Sequence, residues 1–189
     1  GGDSYLNNLT NVGGTLYFSA TNGTSGTELW KSNGTAVGTE MVKDINTGGD
    51  SYPSNLTNVG GILYFTANDG ATGIELWKSN GTLAGTFMVK DIWPGSDGSN
   101  PFNLANMNGT LYFSAENDTN GYELWKSNGT EAGTVMVKDI RAGSNDSHPS
   151  DLTNVNGTLY FTASNSGGGD NEQDRELWKS DGTPGGTVM

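Results

Sequence analysis

The side chains best suited to chemistry are oxygen donors gathered in short polar clusters. Asn68-Asp69-Gly70, Ser96-Asp97-Gly98-Ser99-Asn100, Glu116-Asn117-Asp118, Ser144-Asn145-Asp146 and Asp170-Asn171-Glu172-Gln173-Asp174 place hard ligands on backbone rich in turn formers. Such donors suit calcium, which takes six to eight oxygens in flexible geometry. Asp69, Asp97, Asp118, Asp146 and Asp170 are therefore the candidate calcium ligands, and calcium is the candidate cofactor. None of the clusters completes an EF-hand or RTX template, and a solvated polar turn explains each of them equally simply. His148 is the only histidine and no cysteine is present, so neither a multi-histidine metal site nor a thiolate nucleophile can be assembled. No serine elbow accompanies it.

A second set of ionisable groups recurs. Glu28, Glu75, Glu123 and Glu176, Lys43, Lys90 and Lys138, and Asp44, Asp91 and Asp139 occupy matching places along the chain. Catalysis needs a constellation built once, so groups copied from unit to unit read as scaffolding: cross-strand charge pairs or a recurring hydrogen-bond network. On these grounds the sequence predicts no catalytic residues and no enzyme.

The elements that position these residues follow from an internal repeat. Trp30, Trp77, Trp125 and Trp178 lie 47, 48 and 53 residues apart, and Leu16, Leu63, Leu111 and Leu159 lie 47, 48 and 48 apart. The extra residues of the last copy fall in Ser164 to Arg175, which marks that stretch as a loop. The copies are 1–47, 48–94, 95–142 and 143–189, the last one short of its final strand. Together they read as one repeat domain and a piece of a longer chain. In the third copy Phe102 to Met107, Thr110 to Ala115, Glu123 to Ser127 and Thr134 to Ile140 are strand-like runs. Asn108-Gly109 supplies a two-residue hairpin turn and Asn128 to Gly133 a longer one. The fold class is all-β, with tandem four-stranded antiparallel blades that form a β-propeller of four blades or part of a larger one. A β-solenoid or a β-sandwich array is the alternative. The motif tryptophans, each beside a leucine, are expected to fill the space between adjacent blades, which leaves Trp93 as the exposed aromatic.

Composition excludes some partners. The 189 residues carry nine basic and 21 acidic side chains, for a formal charge of −12. Scattered basic residues cannot neutralise a phosphate backbone, so nucleic acid is excluded as a partner. No apolar run has the length of a membrane span, so membrane insertion is not expected.

The runs ELWKSNGT at Glu28, Glu75 and Glu123, ELWKSDGT at Glu176, MVKDI at Met41, Met88 and Met136, and the LYF segments resemble the ELWxxDGT repeat family. The likeness covers the whole chain. Asn33, Asn80 and Asn128 stand where the family pattern has Asp, and either residue serves a tight turn. The resemblance implies a secreted or surface-attached bacterial repeat protein. It leads to the expectation of a noncatalytic extracellular or cell-surface module, a structural scaffold, adhesin or binding surface whose partners are other copies of the chain, surface protein or glycan. The alternatives are a propeller-type enzyme domain, lyase or glycosidase, which would require nonrepeating groups, namely His148, Arg141, Arg175 and Glu172, or a calcium-dependent glycan-binding lectin. Either function is expected on the long, variable loops: the links between copies and the connections between second and third strands.

Overall fold

The computed structural model describes residues 4–166 and 174–189. In the first copy β1 (Asn7–Val12), β2 (Thr15–Thr21), β3 (Thr27–Ser32) and β4 (Glu40–Lys43) form one antiparallel sheet in chain order. The second copy repeats this with β5 (Ser54–Val59), β6 (Ile62–Asn68), β7 (Ile74–Ser79) and β8 (Phe87–Lys90). The third does so with β9 (Phe102–Met107), β10 (Thr110–Ala115), β11 (Glu123–Ser127) and β12 (Val135–Lys138). The last copy has β13 (Ser150–Val155), β14 (Thr158–Ser164) and β15 (Arg175–Ser180), with a single bridge from Lys179 to Val188 in place of a fourth strand. The protein is all-β, built of tandem four-stranded antiparallel blades of the β-propeller class. Each sheet is closed within its own copy, unlike a solenoid, whose strands would pair from repeat to repeat.

Two compact units divide the chain, Gly1–Asn100 and Pro101–Met189, with two blades in each. In the first unit Val12, Tyr17, Leu29 and Val42 of one blade pack with Leu63, Phe65, Ala67 and Trp77 of the next. In the second unit Met107, Tyr112, Leu124 and Val137 pack with Leu159, Phe161, Ala163 and Trp178 in the same way. The central strands carry nearly continuous apolar runs because both of their faces are covered, and Leu63, Phe65 and Leu76 have no exposed surface. Each fully buried side chain of this size is worth roughly 1.5–3 kcal/mol. The motif tryptophan lies directly across the ladder from a phenylalanine in every copy. Trp77, Trp125 and Trp178 are buried, and Trp93 is half-buried.

The repeated lysines join one blade to the next. Lys31 Nζ donates to the carbonyl of Gly81 and Lys43 Nζ to that of Thr86, each at 2.8 Å. Lys126 and Lys138 make the same 2.8 Å bonds to Gly182 and Thr187. Lys43 and Lys138 also stand over the rings of Trp77 and Trp178, 5.5 and 5.8 Å from their centroids. Gly81 and Gly182, at φ 84° and 88°, admit no larger residue, since an added Cβ would meet the hydroxyl of Tyr17 or Tyr112.

The fourth strands end earlier than the sequence predicts, at Lys138 and not at Ile140. The repeated glutamate is the reason. Glu28, Glu75 and Glu123 are fully buried and draw the following backbone away from the sheet. Glu28 accepts from Ile45 N (2.8 Å), Asn46 N (3.4 Å), Ser51 N (3.2 Å) and Ser51 Oγ (2.6 Å). Glu75 takes the same four donors from Ile92, Trp93 and Ser99. Glu123 takes three, from Ile140 N, Arg141 N and Ser147 Oγ. The carboxylate thus fastens both ends of the link that leaves each blade. Of the two roles that repetition suggested, it takes the recurring hydrogen-bond network and not the cross-strand ion pair. Glu176 of the last copy is exposed.

Removing a clamp leaves buried backbone N–H groups without partners, at about 1–3 kcal/mol each. Glu75→Ala is expected to lower the unfolding free energy by at least about 3 kcal/mol in urea titrations. The matched change Glu176→Ala should stay within about 0.5 kcal/mol. Equal losses at the two positions would contradict the clamp.

Candidate active site

The clamped links run beside the connections between second and third strands. Ser51 N and Tyr52 N both donate to Thr27 O, at 3.1 and 3.2 Å, and Asp50 Oδ1 accepts from Thr27 N at 2.6 Å. In the second unit Ser147 N and His148 N donate to Tyr122 O, and Asp146 Oδ1 accepts from Tyr122 N at 2.8 Å. The NG and NGT turns lie at the opposite ends of the strands.

A left-handed residue stands at one place in each copy, Tyr5 (φ 41°), Tyr52 (46°), Asn100 (45°) and His148 (45°), spaced 47, 48 and 48 residues apart, and the last three donate their N–H to a carbonyl of the adjoining segment. Three residues later Asn8, Asn55, Asn103 and Asp151 repeat the conformation, with φ between 54° and 57°. There the pairing of the first strand with the second shifts register, as at a β-bulge. A left-handed backbone costs a side-chain-bearing residue roughly 1–2 kcal/mol, and glycine would relieve it. The backbone is thus constant at these positions while the side chains change.

In the second unit these changes gather polar groups. The ring of His148 stacks on Tyr122 with centroids 5.2 Å apart, and its Nε2 lies 3.6 Å from Asp146 Oδ2. Arg141 Nη1 donates to the Asp146 carbonyl at 3.2 Å. Immediately beyond, Arg175 Nη1 donates to Ser150 Oγ, Ser150 Oγ and Thr162 Oγ1 are 2.8 Å apart, and Thr162 Oγ1 reaches Asp151 Oδ2 at 3.1 Å. Arginine can only donate, so Ser150 accepts from it; either hydroxyl of the Ser150–Thr162 pair can donate to the other, and both lie within 3.5 Å of Asp151 Oδ2. The exposed Asp151 therefore sits at the acceptor end of a chain that starts on a fixed positive charge. Thr27 and Ile74 occupy the place of Arg175 in the first and second copies, and Asn holds the place of Asp151 in the first three.

Three of the four nonrepeating residues named from the sequence, Arg141, His148 and Arg175, are in this region; Glu172 lies outside the described residues. Of the candidate calcium ligands, Asp69 Oδ1 accepts from Ala71 N, Thr72 N and Thr72 Oγ1 within its own turn. Burial opposes ionisation of Asp69, but those hydrogen bonds outweigh it and hold its carboxyl below the usual range. Asp97 and Asp118 are exposed in separate loops, Asp146 bonds Tyr122 and faces His148, and Asp170 lies outside the described residues. Among the described residues no three acidic or histidine side chains gather closely enough to hold a metal ion. Sequence reasoning missed Asp151, Tyr5 and Tyr52. Their signal was a matching register position filled by different residues, legible only once the backbone there is known to be strained.

Glu123 supports this region from beneath, holding Arg141 and Ser147. Burial pushes its carboxyl up against the pull of its hydrogen bonds, with the nearby charge of Asp139 adding to the rise, to about 7. Glu28 and Glu75 are raised for the same first reason. Ser147 Oγ lies 3.1 Å from the Tyr122 carbonyl, so its proton has a second acceptor and a neutral Glu123 can donate to it.

No family model matches the chain, and no curated protein does. Solved structures are similar to it in fold. A prolyl endopeptidase, from a study of two such enzymes and the role of inter-domain dynamics in their catalysis and specificity, matches 98% of the chain at 14% identity with a TM-score of 0.59. The chain spans 26% of that enzyme's length. An endo-1,4-β-xylanase from Bacteroides thetaiotaomicron matches 98% of the chain and 74% of its own at 15% identity, TM-score 0.41. An α-L-arabinofuranosidase from Clostridium thermocellum matches 98% and 72% at 17% identity, TM-score 0.37. These neighbours are enzymes, and that corrects the expectation of a noncatalytic scaffold, adhesin or binding module that is not an enzyme. The flaw lay in extending to the whole chain an argument that holds for the repeated residues alone. The repeated residues are consumed in the frame, and the nonrepeating ones remain available for chemistry.

The clamp gives stability a definite pH dependence. A raised carboxyl holds its proton in the folded chain while the unfolded chain, with its ordinary value of 4.5, has released it. The contribution of Glu123 is therefore complete below 4.5 and is lost as pH rises through about 7. Glu123→Gln, which mimics the neutral acid, is expected to gain on the wild type in urea titrations as pH rises across this window. A difference independent of pH would contradict it.

Proposed function

We propose that the chain is part of a propeller-type enzyme domain that cleaves glycosidic bonds. The observation that supports this reading is the convergence on one link of the second unit of residues that differ from those of the other copies: His148, beside the frame residue Asp146, and Asp151 at the end of the chain from Arg175. Glycoside hydrolysis uses two carboxyl groups, one protonating the leaving oxygen and one activating water or attacking the sugar. Asp151 is the exposed candidate, and Asp146, with Oδ2 3.6 Å from His148 Nε2, is the second. The likeness to a xylanase and an arabinofuranosidase suggests a plant-type polysaccharide as substrate. An extracellular or cell-surface setting, where such polymers are met, belongs to the same proposal. Because the chain spans only 26% of the prolyl endopeptidase, the activity of any whole protein containing it is part of the proposal as well.

The test is reducing-sugar release from xylan and arabinan, with a proline-containing peptide as comparison. Asp151→Asn should lower turnover at least about 100-fold and His148→Gln by less, with circular dichroism unchanged. Absence of release from every polysaccharide, or full activity in Asp151→Asn, would overturn the reading.

A further inference from the structure

Two tyrosines in the first unit have no part in the packing or in the groups described above. Tyr5 and Tyr52 are 69% and 65% exposed, although both stand at the left-handed link position where their backbone is strained. They line a single cleft of about 510 Å³, within the range of small-molecule sites. Asn7, Asn8, Thr27 and Ser54 also line it, and among the described residues none that line it carries a full charge.

The cleft is held in shape. Tyr52 Oη donates to Asp50 Oδ2 at 3.0 Å, and Asp50 Oδ1 is fixed by Thr27 N, so the ring is tied to its own link. Asn8 Nδ2 donates to the Pro53 carbonyl at 3.1 Å, joining the two blades across the floor. Asn7 Nδ2 donates to the Tyr5 carbonyl at 3.1 Å and holds the other tyrosine segment. The result pairs two exposed aromatic rings, that of Tyr52 tethered through its hydroxyl, with neutral amides and hydroxyls. Glycine would serve the backbone better at both positions, so the side chains are what the two copies share.

We infer that this cleft is a binding subsite for a neutral oligosaccharide. Pyranose rings offer apolar C–H faces to the tyrosines and hydroxyls to the amide and alcohol groups, while the neutral lining favours uncharged sugars over uronates. The inference rests on the glycosidase reading for its substrate class, and it adds a seat for sugar units in a unit that does not contain Asp151.

The experiment is isothermal titration calorimetry of the whole chain with xylohexaose, cellohexaose and hexagalacturonate. At least one neutral hexasaccharide should bind and the uronate should not. Tyr5→Gly and Tyr52→Gly should each weaken binding at least about tenfold while the thermal midpoint holds or rises, because glycine relieves the strained backbone. Tyr52→Phe keeps the stacking face and should bind within about threefold of wild type. Failure of both neutral sugars to bind, or wild-type affinity in both glycine variants, would overturn the cleft. Binding without any polysaccharide cleavage would retain the cleft and end the glycosidase reading; cleavage with KM unaffected by either glycine variant would do the reverse.

Discussion

A carboxylate placed in the dry interior of a sheet must find donors there, and in this protein backbone N–H groups supply most of them. Glu28, Glu75 and Glu123 each collect N–H groups from the end of the fourth strand, and a serine hydroxyl from the far end of the link. Satisfying the buried carboxyl group therefore dictates where the chain leaves one blade and where it enters the next. Three of the left-handed link residues come directly after a clamped serine: Ser51 and Tyr52, Ser99 and Asn100, Ser147 and His148.

Around that constraint the remaining signature residues have complementary tasks. Lysine ammonium groups cross from one blade to turn carbonyls of the next, and a tryptophan fills the interface beneath two of them. Tyr17 and Tyr112 press on glycines of the facing turn, which sets how closely the blades can approach. Asn33 and Asp181 cap their turns identically, each accepting from the N–H and hydroxyl of the threonine two residues on. Only one oxygen is used, so asparagine replaces aspartate at that place without loss.

The blades were legible in the sequence because strand pairing, hairpin turns and aromatic ladders are local and recur at a fixed period. The buried glutamate was not. A charged residue at the start of an amphipathic strand looks like a surface group, and its partners lie 17 to 24 residues downstream in a segment without periodicity. Asp146 and His148 were both visible as unusual residues, yet their meeting depends on a link folded back onto Tyr122. Asp151 was hidden for a different reason. It differs from Asn8, Asn55 and Asn103 by one atom type, and only the neighbouring Arg175 and Thr162 give that difference chemical meaning.

Repetition and catalysis are compatible for a physical reason that the clamp exposes. A residue whose every oxygen is bonded to the frame cannot also bind substrate, so the identical parts of the copies are removed from chemistry by their own interactions. The same interactions hold one strained backbone position at the mouth of each link, where the side chain contributes little to folding. Asparagine and histidine tolerate this conformation better than tyrosine, yet all three are found there. A rigid frame that presents freely exchangeable side chains at fixed points lets different copies specialise: a neutral aromatic cleft in one unit, a carboxylate on a polarised hydroxyl chain in the other.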